Sequence, residues 1–188
     1  TRAIYRWIIT HISYDEAAYD NGNKRINRNN TDIIKRRKAV CWGYTNLFQE
    51  MAQQLGIESI IVSGYARTQS SEAFPLEEVN HAWNAVKIDV KWYLLDATWG
   101  SSLLGKKDEF ISRYQRDYFL TKPAYFLLNH LPANPIWQLI NCPISVDQVK
   151  LSIDSLLSSA TKNQCNKNIN PIDNFLKLNS EERRFQEA

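Results

Sequence analysis

The segment from Val40 to Leu55 constrains this chain more than any other. Val40, Tyr44, Leu47, Phe48, Met51, Ala52 and Leu55 recur at steps of three and four, which lays an apolar stripe along an amphipathic helix. Gly56 follows directly and supplies the stop, because glycine tolerates the left-handed backbone that ends a helix. Such a stripe must be covered, so the helix is expected to run through the middle of a domain. No strong polar cap precedes it, and its start is set only to within about a residue or two.

Three strand patterns downstream offer the cover. Ile57 to Ala66 is rich in β-branched residues. Asn80 to Ile88 alternates, with His81, Trp83, Ala85 and Lys87 on one face and Ala82, Asn84, Val86 and Ile88 on the other. Lys91 to Thr98 also alternates, with Trp92, Leu94 and Asp96 to one side. The short link Asp89-Val90 predicts that the last two pair as an antiparallel hairpin. Residues 1–12 read as a helix through Ile4, Trp7, Ile8 and Ile12. Ser13 to Lys38 is polar, with turn signals at Asn21-Gly22 and Asn29-Asn30, and reads as a long loop with a short helix. Tyr118 to Leu128 is apolar with Pro123 inside it and reads as a strand and turn. Val146 to Ala160 and Pro171 to Ala188 read as two helices joined by an Asn/Lys linker. The fold expected is α+β, a central helix packed on an antiparallel sheet over residues 1–145, with a helical C-terminal extension over 146–188.

Composition removes several function classes. A net charge of +3, with Lys and Arg scattered apart from the run Lys35 to Lys38, is too weak for a nucleic-acid surface. That run reads as a solvated loop face. No apolar stretch reaches about eighteen residues, so no membrane span is expected. The first residue is Thr1, which fits a fragment or a mature form whose leader has been removed. Cys41, Cys142 and Cys165 are an odd set, leaving at least one free thiol; Cys142 and Cys165 either pair in an oxidising compartment or remain two thiols. No CxxC or HxxxH spacing occurs, and the three histidines lie far apart, so neither a zinc site nor a cofactor is expected.

The chemistry gathers at three residues. A thiol attacks only as thiolate, and Cys41 stands at the start of the strong helix. There unpaired backbone N–H groups and the helix dipole favour a negative sulfur and offer donors to an oxyanion. Gly43 leaves room for a substrate backbone. A thiolate needs an imidazolium neighbour, and that ring needs an orienting carboxylate. In a hairpin turning at residues 89–90, His81 falls opposite residue 97 or 98, so Asp96 lies one or two places away and within reach. A His–Asp pair alone reads as a structural hydrogen bond; the cysteine at the helix start turns the set Cys41, His81 and Asp96 into a candidate triad.

Several blocks then resemble a known family in order. Val40-Cys41-Trp42-Gly43-Tyr44, Leu55-Gly56-Ile57, Val62-Ser63-Gly64-Tyr65, Asn80-His81-Ala82-Trp83-Asn84 and Trp92 through Leu95-Asp96-Ala97-Thr98-Trp99-Gly100 are similar to the transglutaminase-like superfamily. Within it they most resemble the branch of kyphoscoliosis peptidase and its bacterial relatives. Ile4 to Ile8, Ile12 to Asp15, and His130-Leu131-Pro132 through Trp137-Gln138-Leu139 extend the resemblance over residues 3–145. It implies a papain-like core in which Cys41 is nucleophile, His81 acid and base, and Asp96 orienter. It also implies action on glutamine or peptide amides of a protein or peptide substrate, by hydrolysis or by acyl transfer to an amine. Some members have lost activity and serve as protein-interaction scaffolds, which is the alternative reading. The calcium-dependent animal transglutaminases carry extra β-domains absent from this sequence, so no calcium requirement is expected. Bacterial relatives are often exported, which points to an extracytoplasmic location.

Other residues carry plainer expectations. His130 and His11 read as structural, Cys142 as a small buried apolar group, and Cys165 as exposed. Trp42, Trp83, Trp92 and Trp99 surround the triad blocks and read mainly as core, some as cleft walls. A second oxyanion donor should exist. Trp7 and Tyr14 are both candidates, and the sequence does not choose between them. An arylamine or small-acyl transferase on the same core is a third reading, which the Trp-rich hairpin blocks disfavour.

Overall fold

The computed structural model describes residues 1–20, 29–67, 74, 76–102 and 117–146. In chain order they form helix α1 (Arg2–His11), strand β1 (Ser13–Tyr14), helices α2 (Glu16–Asp20) and α3 (Asn30–Arg36), strand β2 (Lys38–Ala39) and helix α4 (Cys41–Gln54). Strands β3 (Ser59–Ala66), β4 (His81–Ile88) and β5 (Lys91–Leu95) follow, then helix α5 (Ala97–Ser102), strand β6 (Phe119–Thr121), the one-turn helix α6 (Pro123–Phe126), strand β7 (His130–Pro132) and a 3₁₀ turn (Pro135–Gln138). They group into two units, one of Thr1–Val62 with His81–Phe126, the other of Ser63–Asn80 with the described residues after Phe126.

In the first unit α4 is the centre, as its stripe predicts. Tyr44, Leu47, Phe48 and Ala52 are fully buried, and α4 packs on α1, α5 and β4. Ile4, Tyr5, Ile8 and Ile9 of α1 share one core with them. Burying a side chain such as Phe48 contributes about 1.5–3 kcal/mol. Leu55 departs from the stripe and is 68% exposed, because the helix has already ended. Gly56 sits at φ +67° and donates to Gln53 O, while Ile57 N donates to Ala52 O, the paired bonds of a Schellman ending.

Strands lie in the order β6-β5-β4-β3 in this unit. The β4–β5 hairpin runs in register from Ile88↔Lys91 to Asn84↔Leu95. Its two-residue turn is Asp89-Val90, with Asp89 at φ 55°, as tight hairpin turns require. The first six residues of β4 are buried on both faces, so the alternation read from sequence is not a polar–apolar one.

Within Ser13 to Lys38, the described residues 13–20 and 29–38 hold more regular structure than their polarity suggests, while the turn expected at Asn21-Gly22 lies outside the described residues. β1 and β2 pair in parallel, Ser13↔Lys38 and Tyr14↔Ala39. Asn29, read as a turn residue, caps α3 by accepting from Thr31 N and Asp32 N, and Ile33 anchors that helix in the core. Lys35 to Lys38 are all exposed. β5 ends at Leu95 rather than continuing to Thr98, because Asp96 caps α5, which takes up Ala97 and Thr98. Pro123 likewise opens α6 instead of a turn, at a position where its missing N–H costs nothing.

In the second unit the end of β3 pairs antiparallel with β7, Gly64↔Pro132 through Ala66↔His130. Asn80 closes on Ala66 with bonds of 2.7 and 3.0 Å. Phe74, Leu131 and Ile144 make a small core. His130 is fully buried with Nδ1 2.6 Å from Asn129 Oδ1. Cys142 is half-buried and disulfide-bonded, not the small buried apolar group expected from its neighbours. Cys165 and the two helices expected beyond residue 146 lie outside the described residues. Among those residues, no helix is long and apolar enough to cross a membrane.

The packing of α1 on α5 yields a test. A Cβ on Gly100 would collide with the Tyr5 hydroxyl and crowd Ile9. Gly100→Ala should lower stability by about 1–3 kcal/mol, read as a reduced urea midpoint. The same change should cost less in a Tyr5→Phe background, since the colliding oxygen is then gone. Equal costs in both backgrounds would place the strain elsewhere.

Candidate active site

Cys41 is the first residue of α4 and only 4% exposed. Val40 occupies the cap position and provides no side-chain acceptor. The carbonyl of Val40 takes the N–H groups of Gly43 and Tyr44 at 2.8 and 3.2 Å. The Cys41 and Trp42 N–H groups precede the first intrahelical donors, so the helix itself gives them no acceptor. The sulfur therefore lies where positive backbone potential is greatest.

His81 opens β4 beside it. The residue is 6% exposed, with Nε2 2.8 Å from Asp96 Oδ2. Its side chain is also hydrogen-bonded to Cys41. With Nε2 engaged by the carboxylate, Nδ1 is the nitrogen left to the thiol. Burial alone would lower the imidazole's affinity for a proton. The Asp96 charge, the Asp96 and Cys41 hydrogen bonds and the Cys41 charge outweigh it and raise His81 from 6.5 to about 10. The ring is thus held as imidazolium at neutral pH. Trp99 stands 5.5 Å from it, centroid to centroid, and Trp83 6.0 Å. Trp83 is fully buried and Trp99 half-buried, which divides the tryptophans between core and wall.

Asp96 is fully buried, and its polar atoms are occupied. Oδ1 accepts from Thr98 N at 2.8 Å and Trp99 N at 3.2 Å, capping α5. Oδ2 holds His81, the carbonyl accepts from the Tyr5 hydroxyl at 3.2 Å, and the N–H donates to Tyr118 O at 2.9 Å. Continuing the hairpin register would set His81 opposite Thr98, as the sequence suggests. The contact forms because the chain turns into α5 at Asp96 and swings its carboxylate back.

All three residues singled out from sequence therefore come together in the first unit. The supporting groups were missed. Asp96 followed by Ala-Thr-Trp-Gly-Ser-Ser is a helix-start signal, hidden by the strand alternation before it. Tyr5 has no signal beyond its place on an apolar helix. His11 is exposed and stacked on Trp7 at 4.7 Å, away from any catalytic contact.

The chain is similar to several known proteins. The model of the Transglutaminase-like superfamily matches residues 1–97. Kyphoscoliosis peptidase of Mus musculus is 40% identical over 157 residues, covering 81% of this chain and 23% of that protein. The Lim and transglutaminase domain protein ltd-1 of Caenorhabditis elegans is 27% identical over 160 residues, covering 78% and 22%. A solved structure of a TGase superposes with a TM-score of 0.42 at 24% identity, over 52% of this chain and 25% of that one. The chain spans less than a quarter of the length of these two relatives. By the family match and the 40% identity, it belongs to the transglutaminase-like superfamily.

Proposed function

We propose that this chain is a cysteine-dependent amide-processing enzyme, a peptidase or a protein-glutamine acyltransferase, that works through a thioester on Cys41. The observation that carries the reading is the chain of contacts from thiol to imidazole to buried carboxylate, with Nε2–Oδ2 at 2.8 Å. The Cys41 sulfur attacks the amide carbonyl carbon, and the oxygen becomes an oxyanion beside the Cys41 N–H. Collapse breaks the C–N bond as the His81 imidazolium gives its proton to the leaving amine. Neutral His81 then takes a proton from water or from a second amine, which attacks the thioester and frees the sulfur. Asp96 keeps the ring oriented and stabilises its charged form. Water as second reactant makes a hydrolase and an amine makes a transferase. An extracytoplasmic site of action is in keeping with the disulfide at Cys142.

One observation favours the second reading, an inactive interaction scaffold: Cys41 is only 4% exposed. Iodoacetamide labelling of the reduced protein from about pH 5 to 8, followed by peptide mass spectrometry, separates the two. Cys41 should alkylate faster than Cys142 and Cys165 in the acid half of that range, and His81→Ala should remove the advantage. A Cys41 that stays inert until the protein unfolds would leave the scaffold.

Asp96 generates a second expectation. Asp96→Asn should bring the His81 titration, followed by NMR, down from about 10 to 6.5 or below, since burial then acts with less opposition. Because the folded pKa is raised, the pair's stabilisation is complete below about 6.5 and lost as pH rises through about 10. The gap in urea midpoint between wild type and Asp96→Asn should shrink over that window. A gap independent of pH would assign Asp96 to helix capping alone.

A further inference from the structure

The thiol and the imidazole sit on different elements, so their contact depends on how α4 is seated against β4. Cys41 opens the helix and His81 opens the strand. Beyond that pair, the next side-chain tie between the two elements among the described residues is made by Asn84, whose Nδ2 donates to the Thr45 carbonyl at 3.1 Å. Thr45 lies one helical turn past Cys41, and Gln49 one turn further, so the three share a face. Gln49 Nε2 reaches the Ser59 carbonyl of β3 at 2.9 Å. The face of α4 that carries the nucleophile is thus pinned to the sheet at successive turns, and Asn84 makes the pin nearest the sulfur.

Asn84 is fully buried, and stability does not account for an amide there. The Thr45 carbonyl lies inside α4 and already takes an N–H from the following turn, so it needs no second donor. The Asn84 Oδ1 has no hydrogen-bond partner among the described residues. A buried polar atom in that state costs more than an apolar side chain of the same shape. What the amide supplies is direction. A hydrogen bond holds a narrow range of length and angle, whereas apolar contact is non-directional. A reacting group displaced by about 1 Å can lose as much as 10²-fold in rate.

We propose that Asn84 is a positioning residue, which seats α4 on β4 so that the Cys41 sulfur meets the His81 ring. This rests on the thiol–imidazole pair of the proposed enzyme. The test is the pH profile of Cys41 alkylation by iodoacetamide, in which the sulfur attacks the methylene carbon and iodide leaves. Asn84→Leu keeps the volume and removes both the donor and the unpartnered oxygen, so the urea midpoint should hold or rise. Alkylation at about pH 6, where only a sulfur assisted by its surroundings is ionised, should nevertheless slow about tenfold. Near about pH 9 an unassisted thiol is ionised too, and the rates should converge. Asn84→Ala removes the same donor without adding bulk, and should lose the same acid arm if leucine fails to pack. Ser59→Ala is the structural control. It deletes another buried bond to β4, Ser59 Oγ to Ala85 O at 3.2 Å, and leaves the ties of α4 in place. It should lower the midpoint and keep the wild-type profile. Profiles of both Asn84 variants that match wild type would overturn the assignment. A loss uniform across pH, or one that Ser59→Ala reproduces, would overturn it as well, by giving Asn84 a role in the fold alone. A wild-type Cys41 that alkylates as an ordinary thiol would sink the enzyme reading itself, and the Asn84 role with it.

Discussion

The structure turns on a carboxylate that has no access to water. An ionised group taken out of solvent is costly unless its charge and lone pairs are matched. Asp96 meets that condition by accepting from the His81 ring and the first N–H groups of α5, while its backbone bonds to Tyr5 of α1 and to Tyr118. The hairpin, α5 and α1 are located by this one residue. A group that fixes the fold and charges the imidazole cannot be altered for one purpose without disturbing the other.

The nucleophile is positioned by a smaller device. β1 and β2 contribute two residues each, and parallel pairing of so short a ladder is weak by itself. It is anchored by flanking elements. Arg37, at φ 57°, ends α3 and offers its carbonyl to both the N–H and the hydroxyl of Ser13. Ala39 and Val40 are buried before the helix begins. The path into Cys41 is thereby set by α1, α3 and the core together.

Much of this was legible from residue pattern. The helix at Cys41, the hairpin about Asp89-Val90 and the proximity of His81 to Asp96 follow from periods of 3.6 and 2 and from one turn signal, because these elements are long enough for periodicity to accumulate. Ser13 to Lys38 was not legible. Two-residue strands have no period, and Asn29-Asn30 serves equally as a turn or as a cap and first helical residue. The end of β5 was misplaced for a related reason: alternation continues through Asp96, and only the hydrogen bonds of its carboxylate reveal that the backbone has changed course. Among the supporting groups, Tyr5 is indistinguishable in sequence from any aromatic core residue. Its role depends on a hydroxyl meeting a carbonyl ninety-one positions away.

The bare cap at Val40 has an evolutionary corollary. A Ser, Thr or Asp there would stabilise α4 by about 1 kcal/mol on ordinary helix rules, and any search for a sturdier sequence would find it. That side chain would accept from the Trp42 or Gly43 N–H and weaken the positive potential of the helix start at the sulfur. The position is one where gaining robustness and keeping a reactive centre pull in opposite directions. A thermostabilised descendant of this chain that carries a good cap at residue 40 would be expected to have traded one for the other.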